Sequence, residues 1–353
     1  MDMRLTADTI RGLAMDGVQK ANSGHPGMPM GTADFASVLF LKFMNHDPDD
    51  ARWMNRDRYV QSAGHGSMLM YSLLHLSGYG LSLDDLKNFR QWDSKTPGHP
   101  EYGLTRGVET TTGPLGQGCG NGVGMALAEA MLAAKFNRPG FALIDHFTYV
   151  LAGDGDLMEG VSHEAFSLAG HLKLHKLVVF YDSNRITIEG STDLAYSDDV
   201  AKRFKGYHWN VIEIDGHDPV AIEQALRRAR RQKKAPTLII GHTHIAKGAP
   251  HAQDTSESHG SPLGADEIRA TKKALGLPED RTFYIPQAVY DDFKQRRVEL
   301  AGVRKSWLKR LDRYRKAHPD LAAEWDRHFN EPAVSDIENQ LQPFAPGRPG
   351  APR

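Results

Sequence analysis

Two neighbouring stretches of the chain decide its fold, Thr148-Tyr-Val-Leu-Ala-Gly-Asp-Gly155 and Lys176-Leu-Val-Val-Phe-Tyr-Asp182. Each contains a short apolar run rich in β-branched and aromatic residues, which predicts buried strands over residues 148–152 and 176–182. Similar patterns predict the elements that follow: strands over 209–214 and 237–240, and helices over 162–172, 199–207 and 219–232. Because strands that alternate with helices indicate βαβ units, the sequence predicts an α/β fold, a parallel sheet with helices on both faces.

The flanking regions are predicted to be helical. Upstream, apolar spacing predicts four helices separated by glycine-rich loops, with Thr6 as the N-cap of the first: residues 7–21, 30–43, 67–77 and 120–135. The small residues of the fourth helix indicate close packing on a neighbouring element. We expect one domain over residues 1–335, with a helical extension over about 265–335, and then a proline-rich, linker-like tail over 336–353.

Composition restricts the functions open to this chain. Its 353 residues include 43 Lys and Arg against 44 Asp and Glu, a formal net charge of −1. This balance argues against nucleic acid or an anionic membrane as a partner, because proteins that bind them carry a basic excess. No apolar run approaches the ~18 residues of a membrane span, and the charged start lacks the apolar segment of a secretory signal. With Cys119 as the single cysteine, a disulfide framework is excluded and a soluble cytoplasmic protein is expected.

Polar residues follow the first two predicted strands at the same edge of the sheet. Asp154 lies in Gly153-Asp-Gly155 after the first strand, and Asn184 follows the second. A carboxylate, an amide oxygen and a backbone carbonyl are suitable ligands for Mg²⁺ or Ca²⁺. Three oxygens are too few to complete the coordination sphere of the ion, so positions remain for phosphate oxygens. The glycines allow a diphosphate to approach, and the next helix N-terminus favours its charge. The alternative is a plain turn, with Asp154 as a helix cap and Asn184 in an Asx turn.

Several motifs of four or more residues follow one another along the chain. They are Ser23-Gly-His-Pro-Gly27, Met30-Gly-Thr-Ala-Asp34, Gly64-His-Gly-Ser67, Thr96-Pro-Gly-His-Pro100, Gly107-Val-Glu-Thr-Thr-Thr-Gly-Pro-Leu-Gly-Gln-Gly118 and Ser258-His-Gly-Ser-Pro-Leu-Gly264. Together with Asp154 and Asn184, they resemble the transketolase family of thiamine diphosphate enzymes. The resemblance spans about residues 5–345 and covers the N-terminal, diphosphate-binding half of a usual transketolase. It implies the family's thiamine-diphosphate-binding, PP-type module as the fold.

The resemblance also implies which residues bind the cofactors. Asp154 and Asn184 match the side-chain metal ligands, and Ile186 matches the residue that gives a backbone carbonyl. The remaining positions that match thiamine diphosphate contacts are His65, Gly113, Leu115, Gly155, Ile188 and His259.

Four histidines and one acid form the catalytic set that the resemblance implies: His25, His65, His99, His259 and Glu159. His25, His99 and His259 match imidazoles that bind sugar oxygens, and Glu159 matches an acid that links the two cofactor sites of a dimer. An imidazole with a pKa near neutrality can donate a proton to a developing alkoxide and later take it back. The alternative for each histidine is an ordinary turn residue, and for Glu159 a helix N-terminal acid favoured by the dipole.

The implied reaction transfers a two-carbon ketol unit from a ketose phosphate such as xylulose 5-phosphate to an aldose phosphate such as ribose 5-phosphate. Thiamine diphosphate and Mg²⁺ (or Ca²⁺) would serve as cofactors. The family's pyrimidine-binding and C-terminal domains are expected to be absent, so we expect little turnover without a separate pyrimidine-binding subunit, in a dimer or heterotetramer. Other interpretations stay open: a truncated inactive fragment, a non-catalytic module that binds thiamine diphosphate or metal, or a sister thiamine enzyme.

Overall fold

A computed structural model describes residues 1–330, so the predicted tail over residues 336–353 lies outside the described part of the chain. Residues 1–307 form one compact unit, and a second begins at residue 308. The strands are β1 Arg58–Gln61, β2 Thr148–Gly153, β3 Leu177–Ser183, β4 Ile186–Thr187, β5 Gly190–Ser191, β6 Asn210–Asp215 and β7 Thr237–His242. The helices are α1 Met3–Ala21, α2 Gly27–Val38, α3 Ser67–Ser77, α4 Leu83–Lys87, α5 Gln117–Phe136, α6 Asp154–Met158, α7 Gly160–His171, α8 Val200–Gly206, α9 Pro219–Arg231, α10 Glu257–Gly260, α11 Ala265–Leu275, α12 Gln287–Ala317 and α13 Pro319–Asn330.

Five strands form one sheet in the order β1-β2-β3-β7-β6, and every neighbouring pair is parallel. The register of β2 on β3 runs from Thr148 opposite Leu177 to Gly153 opposite Asp182. The carboxyl ends of these strands therefore lie side by side, directly before Asp154. β4 and β5 form a separate antiparallel hairpin shortly after β3. The predicted α/β fold is confirmed.

Helices cover both faces of the sheet because side chains alternate between two cores along each strand. Tyr149 and Leu151 of β2 belong to one core, together with residues of α1, α2, α3 and α9. Val150 and Ala152 belong to the other, together with residues of α5, α7 and α8. The nearly continuous apolar sequences of β2 and β3 thus reflect strands buried on both sides.

Two features of the N-terminal half differ from the sequence prediction. The sequence patterns miss β1, because four residues are too few to show a recognisable period. α1 begins at Met3 and its N-cap is Asp2, whose carboxylate accepts a backbone N–H of the first turn. Thr6 lies inside the helix, where its hydroxyl donates to the Asp2 carbonyl at 3.1 Å, so the predicted Thr6 cap is wrong. No helix among residues 1–330 is long and apolar enough to cross a membrane.

The helix predicted over residues 120–135 corresponds to α5. Its predicted close packing on a neighbouring element is present on one side of the helix. A side-chain carbon on Gly122 would lie 2.3 Å from Cγ2 of Val150, so glycine is what allows α5 to approach β2. The other side is uncovered: Gly124 and Ala128 are exposed. Large exposed apolar side chains also occur on α5 and the neighbouring α7, namely Met131, Val161 and Leu168.

Candidate active site

A cavity of about 460 Å³ lies at the carboxyl edge of the sheet, where β2 and β3 end. It is lined by the segments that follow these strands and by loops from distant parts of the chain. The structure brings every residue predicted for the site into this lining: His25, His65, His99, Gly113, Leu115, Asp154, Gly155, Glu159, Asn184, Ile186, Ile188 and His259. Their individual roles stay predictions, but their assembly in one cavity is a property of the fold.

Asp154 is a buried carboxylate with one unpaired oxygen. It is the first residue of α6, and it is 5% exposed. Its Oδ1 accepts a hydrogen bond from the Tyr181 hydroxyl, whereas its Oδ2 has no partner among the described residues. Burial raises the pKa of Asp154 to about 6, although the Tyr181 hydroxyl and the nearby backbone N–H groups of Arg185 and Asn184, which form no hydrogen bond with Oδ2, partly offset this rise. Since a buried anionic oxygen without a donor is costly, a bound cation would stabilise this site.

Asn184 is oriented by hydrogen bonds on both sides of its amide. Its Nδ2 donates to Oδ2 of Asp182 at 2.9 Å, and its Oδ1 accepts from the backbone N–H of Ile186 at 2.9 Å. Asp182 is fully buried, and burial together with the charge of Asp154 raises its pKa to about 7. The Asx turn of the alternative interpretation is therefore present at Asn184. The helix cap that it requires of Asp154 is not, because Gly153 is the N-cap residue of α6 and Asp154 is the first residue inside the helix.

The oxygens on this wall fit a divalent cation that is held jointly with a phosphate ligand. Asp154, Asn184 and Ile186 line the same cavity and offer a carboxylate, an amide and a backbone carbonyl. Within residues 1–330, no group of three or more His, Cys, Asp and Glu could hold a metal by itself. A cation at this site would therefore take further oxygens from its ligand, which is how Mg²⁺ is commonly held beside phosphates.

Asp156, which the sequence analysis does not single out, ties three loops of the cavity together. Its Oδ1 accepts hydrogen bonds from the Ser62 hydroxyl at 2.6 Å and the Gly116 N–H at 2.8 Å. Its Oδ2 accepts from the Gly153 N–H at 2.9 Å. The available signal was its position three residues after Gly153, where an acid commonly bonds back to the amide at the start of a helix.

Three imidazoles meet inside the cavity. The ring centroids are 5.0 Å apart for His25 and His65, 5.0 Å for His65 and His259, and 5.5 Å for His25 and His259. Burial lowers the pKa of His25 to about 4 and holds that of His65 well below its usual value, and the neighbouring imidazoles add to both effects. Both imidazoles therefore favour the neutral form more strongly than an ordinary histidine does.

His99 lies on the wall of the cavity beside Gly113. A side-chain carbon on Gly113 would lie 3.3 Å from Cδ2 of His99, and Gly113 has a φ of +155°, so glycine lets the two loops pass closely. The neighbouring Arg90, which the sequence analysis also misses, donates to the Ser23 hydroxyl at 2.8 Å and lies 3.5 Å from Nδ1 of His25. Burial lowers the pKa of His99, and the charge of Arg90 lowers it further.

Ile188 and Glu159 belong to the exposed part of the lining. Ile188 lies between β4 and β5 and is 68% exposed. Glu159 directly precedes α7 and is also exposed. Both side chains are therefore accessible to a ligand in the cavity or to a partner that covers it.

Sequence comparison identifies the family to which this chain belongs. The family described as "Transketolase, thiamine diphosphate binding domain" matches residues 3–333. A transketolase of Geobacillus stearothermophilus is 52% identical over 347 residues, which cover 98% of this chain and 52% of the relative. Transketolase 2 of Escherichia coli is 52% identical over 345 residues, 98% of this chain and 51% of the relative. The chain thus spans about half the length of the curated relatives it matches.

Solved structures agree with the sequence matches. A transketolase from Leishmania mexicana superposes with a TM-score of 0.94 at 43% identity, over 98% of this chain and 52% of that protein. A transketolase from Pichia stipitis, solved in complex with sedoheptulose 7-phosphate, superposes with a TM-score of 0.91 at 46% identity, over 92% of this chain and 48% of that protein.

Proposed function

The chain belongs to the transketolase family, and we propose that it forms the diphosphate-binding half of an enzyme that moves a two-carbon ketol unit from a ketose phosphate to an aldose phosphate. Xylulose 5-phosphate and ribose 5-phosphate are the proposed donor and acceptor. One observation carries the proposal: Asp154, which has a buried oxygen without a hydrogen-bond partner among the described residues, lines the same cavity as four histidines. The sugar phosphate bound by the Pichia stipitis relative supports this class of substrate.

Thiamine diphosphate with Mg²⁺, or with Ca²⁺ in its place, is the proposed cofactor pair. Asp154, Asn184 and the Ile186 carbonyl would hold the cation, and Gly155 would give the diphosphate a backbone N–H at the start of α6. Leu115 and Ile188 offer apolar surface for the rings of the cofactor. When bound, the cofactor supplies the electron sink for breaking a carbon–carbon bond next to a carbonyl.

The histidines are proposed to bind the sugar phosphate and to transfer protons to and from its oxygens. A neutral imidazole carries one N–H donor and one acceptor nitrogen, and His25 and His65 are neutral near pH 7. N–H donors aimed at a sugar oxygen stabilise the negative charge that develops there more than they stabilise the neutral carbonyl. His99 from the cavity wall and His259 from α10 would orient the remaining hydroxyl groups.

A pyrimidine-binding subunit is proposed to complete the site, in a dimer or heterotetramer. The segment that this chain matches is about half of each relative's length. Ile188 at the cavity and Met131, Val161 and Leu168 on α5 and α7 leave apolar surface uncovered, as expected for a protein contact. Glu159 would then face a second cofactor site across the dimer.

Reconstitution tests the proposal. The purified chain is mixed with a separately expressed pyrimidine-binding half of a transketolase, thiamine diphosphate, Mg²⁺, xylulose 5-phosphate and ribose 5-phosphate. Sedoheptulose 7-phosphate should form, and it should not form when either half is omitted. If two folded halves together give no product, the proposed activity is wrong. Binding of thiamine diphosphate without any partner-dependent turnover would instead favour a non-catalytic module.

A further inference from the structure

A second cavity, of about 320 Å³, is lined by five cationic side chains from three elements. They are Lys42 from the helical turn after α2, Arg227, Arg230 and Arg231 from the end of α9, and Arg296 from α12. We refer to it as the arginine cavity. It lies at the amino edge of the sheet, since Arg230 donates to the hydroxyl of Tyr149, the second residue of β2, at 3.1 Å.

The position of α9 explains only part of this charge. Cations in the last turn of a helix are stabilised by its dipole, which accounts for Arg230 and Arg231 on their own helix. It does not account for Lys42 and Arg296, which other parts of the chain bring to the same cavity. The convergence of three elements therefore needs a reason beyond the stability of α9.

Nearby carboxylates compensate the five cations incompletely. The ion pairs are Glu223 with Lys42 and Arg227, Glu299 with Arg296 at 3.3 Å, and Asp57 with Arg230 at 3.7 Å. Three acids thus face five cations, and Arg231 has no ion pair among the described residues. Burial lowers the pKa of Arg296, and the charge of Arg230 adds to this effect. The cavity is left with an excess of positive charge.

One guanidinium of this cavity is held in place by the protein itself, and another has an unsatisfied N–H. Nη1 of Arg230 donates to the Phe43 carbonyl at 2.8 Å as well as to Tyr149, which fixes the guanidinium. Nε of Arg296 is buried and has no hydrogen-bond partner in the described part of the chain. Because a buried N–H without an acceptor is unfavourable, the site lacks acceptor oxygens as well as negative charge.

We propose that the arginine cavity binds a small anion with at least two negative charges, namely a phosphate or a phosphate ester. Guanidinium groups match phosphate oxygens with paired N–H donors, and a dianion would compensate the two excess charges. Phe43 and Asn45 complete the lining and offer an apolar wall and an amide for the remainder of an ester. The volume falls in the range of small-molecule sites.

This site is separate from the candidate active site and does not depend on the proposed function. A six-residue strand such as β2 spans about 20 Å, and the two cavities lie at its opposite ends. A phosphate compound could therefore occupy both cavities at once.

Calorimetric titration of the whole chain with inorganic pyrophosphate tests the proposal, with EDTA present so that cation-dependent binding at the carboxyl edge does not contribute. Arg231→Gln should weaken binding about tenfold, because it removes a phosphate contact while the exposed Arg231 supports no other part of the fold. The matched control is Arg228→Gln, an equally charged change on the exposed side of α9 that does not line the cavity. The control should change the affinity by less than about twofold.

Two results would overturn the proposal. Equal losses in both variants would mean that pyrophosphate is attracted by the general charge of α9 and has no defined site. Absence of binding to the unmodified chain at about 10 mM pyrophosphate would mean that no such site exists. A second titration compares orthophosphate with glucose 6-phosphate, and tighter binding of one over the other identifies the free anion or the ester as the ligand. Circular dichroism confirms that each variant is folded.

Discussion

Asp57 and Asp154 are buried aspartates at opposite ends of the same sheet, and they differ in how their oxygens are satisfied. Asp57 precedes β1, where its Oδ2 accepts the Asn45 N–H at 2.8 Å and its Oδ1 accepts the Phe147 N–H at 2.7 Å. Arg230 lies 3.7 Å away and balances its charge. Asp154, at the carboxyl edge, keeps one oxygen without a partner in the described part of the chain.

This difference separates an acid that stabilises the fold from an acid suited to binding. Burial raises the pKa of both carboxyls, so both lose hydration when the chain folds. Asp57 regains much of that loss from N–H donors and a guanidinium. Asp154 recovers less, because only its Oδ1 accepts a hydrogen bond and its Oδ2 has no donor among the described residues. A cation bound there would remove this remaining cost.

Replacing Asp154 by Asn should have the largest effect, on ligand binding. Without the carboxylate, cation-dependent affinity for thiamine diphosphate should fall by about a thousandfold, whereas the cation-free protein should be as stable as before or more stable. Calorimetry with Mg²⁺ and urea unfolding measure the two quantities. The control is Asp193→Asn, an exposed acid outside the cavity. Unchanged affinity in Asp154→Asn would contradict its assignment as a ligand.

Replacing Asp57 by Asn should act on stability instead. The amide can accept only one of the two N–H donors and leaves Arg230 without its acid, so unfolding in urea should show a loss of about 3 kcal/mol. Affinity for thiamine diphosphate should not change in the folded variant. Asp266→Asn, at a fully exposed side chain, is the matched control and should cost nothing measurable. If Asp57→Asn unfolds at the same urea concentration as the unmodified chain, Asp57 does not stabilise the fold in the way that distinguishes it from Asp154.

Replacing Tyr181 by Phe sharpens the comparison, because it removes the hydrogen bond to Oδ1 of Asp154 and keeps the ring in the core. The hydroxyl lowers the pKa of Asp154, so its loss makes the carboxylate harder to ionise and should weaken cation-dependent cofactor binding about tenfold. The control is Tyr196→Phe, whose buried hydroxyl has no partner among residues 1–330. Equal affinities in the two variants would show that Tyr181 does not support Asp154.

The smallest expected effect is on the pH dependence of thermal stability. His25 has a pKa of about 4 in the folded chain against 6.5 for an ordinary histidine, so between these values the unfolded chain binds protons that the folded chain does not. Stability should therefore fall as the pH drops through this range. His25→Asn should reduce the difference in Tm between about pH 7.5 and pH 5 by about 2 °C. The exposed His208 provides the control, since His208→Asn should leave the difference as it is.

The position of this site could be predicted from the sequence because its proposed metal ligands follow the strongest pattern in the chain. Asp154 and Asn184 come directly after two strongly apolar strands, and parallel strands necessarily bring their carboxyl ends to one edge. The histidines were found differently, through motifs that resemble a family. Spacing alone does not bring residues 25, 65 and 259 together, because their contact depends on how distant loops pack.

The sequence does not show which polar side chains are buried in the folded protein. Asp156 and Asp182 show no signal of burial in the sequence, yet both are buried, and Asp182 orients Asn184. The same holds for His25, whose lowered pKa follows from its surroundings and is invisible in its own motif. β1 escaped prediction for a related reason: four residues become a strand only because β2 lies next to them.

The register between β2 and β3 limits where this chain can accept insertions. One residue added inside β2 would turn every following side chain to the opposite face and carry Asp154 away from Asn184. A residue added at the tip of the β4–β5 hairpin meets no such constraint, because that tip lies outside the five-stranded sheet. A change in the length of the hairpin that carries Ile188 would therefore leave the sheet intact, whereas the two strands that space the proposed ligands must keep their lengths.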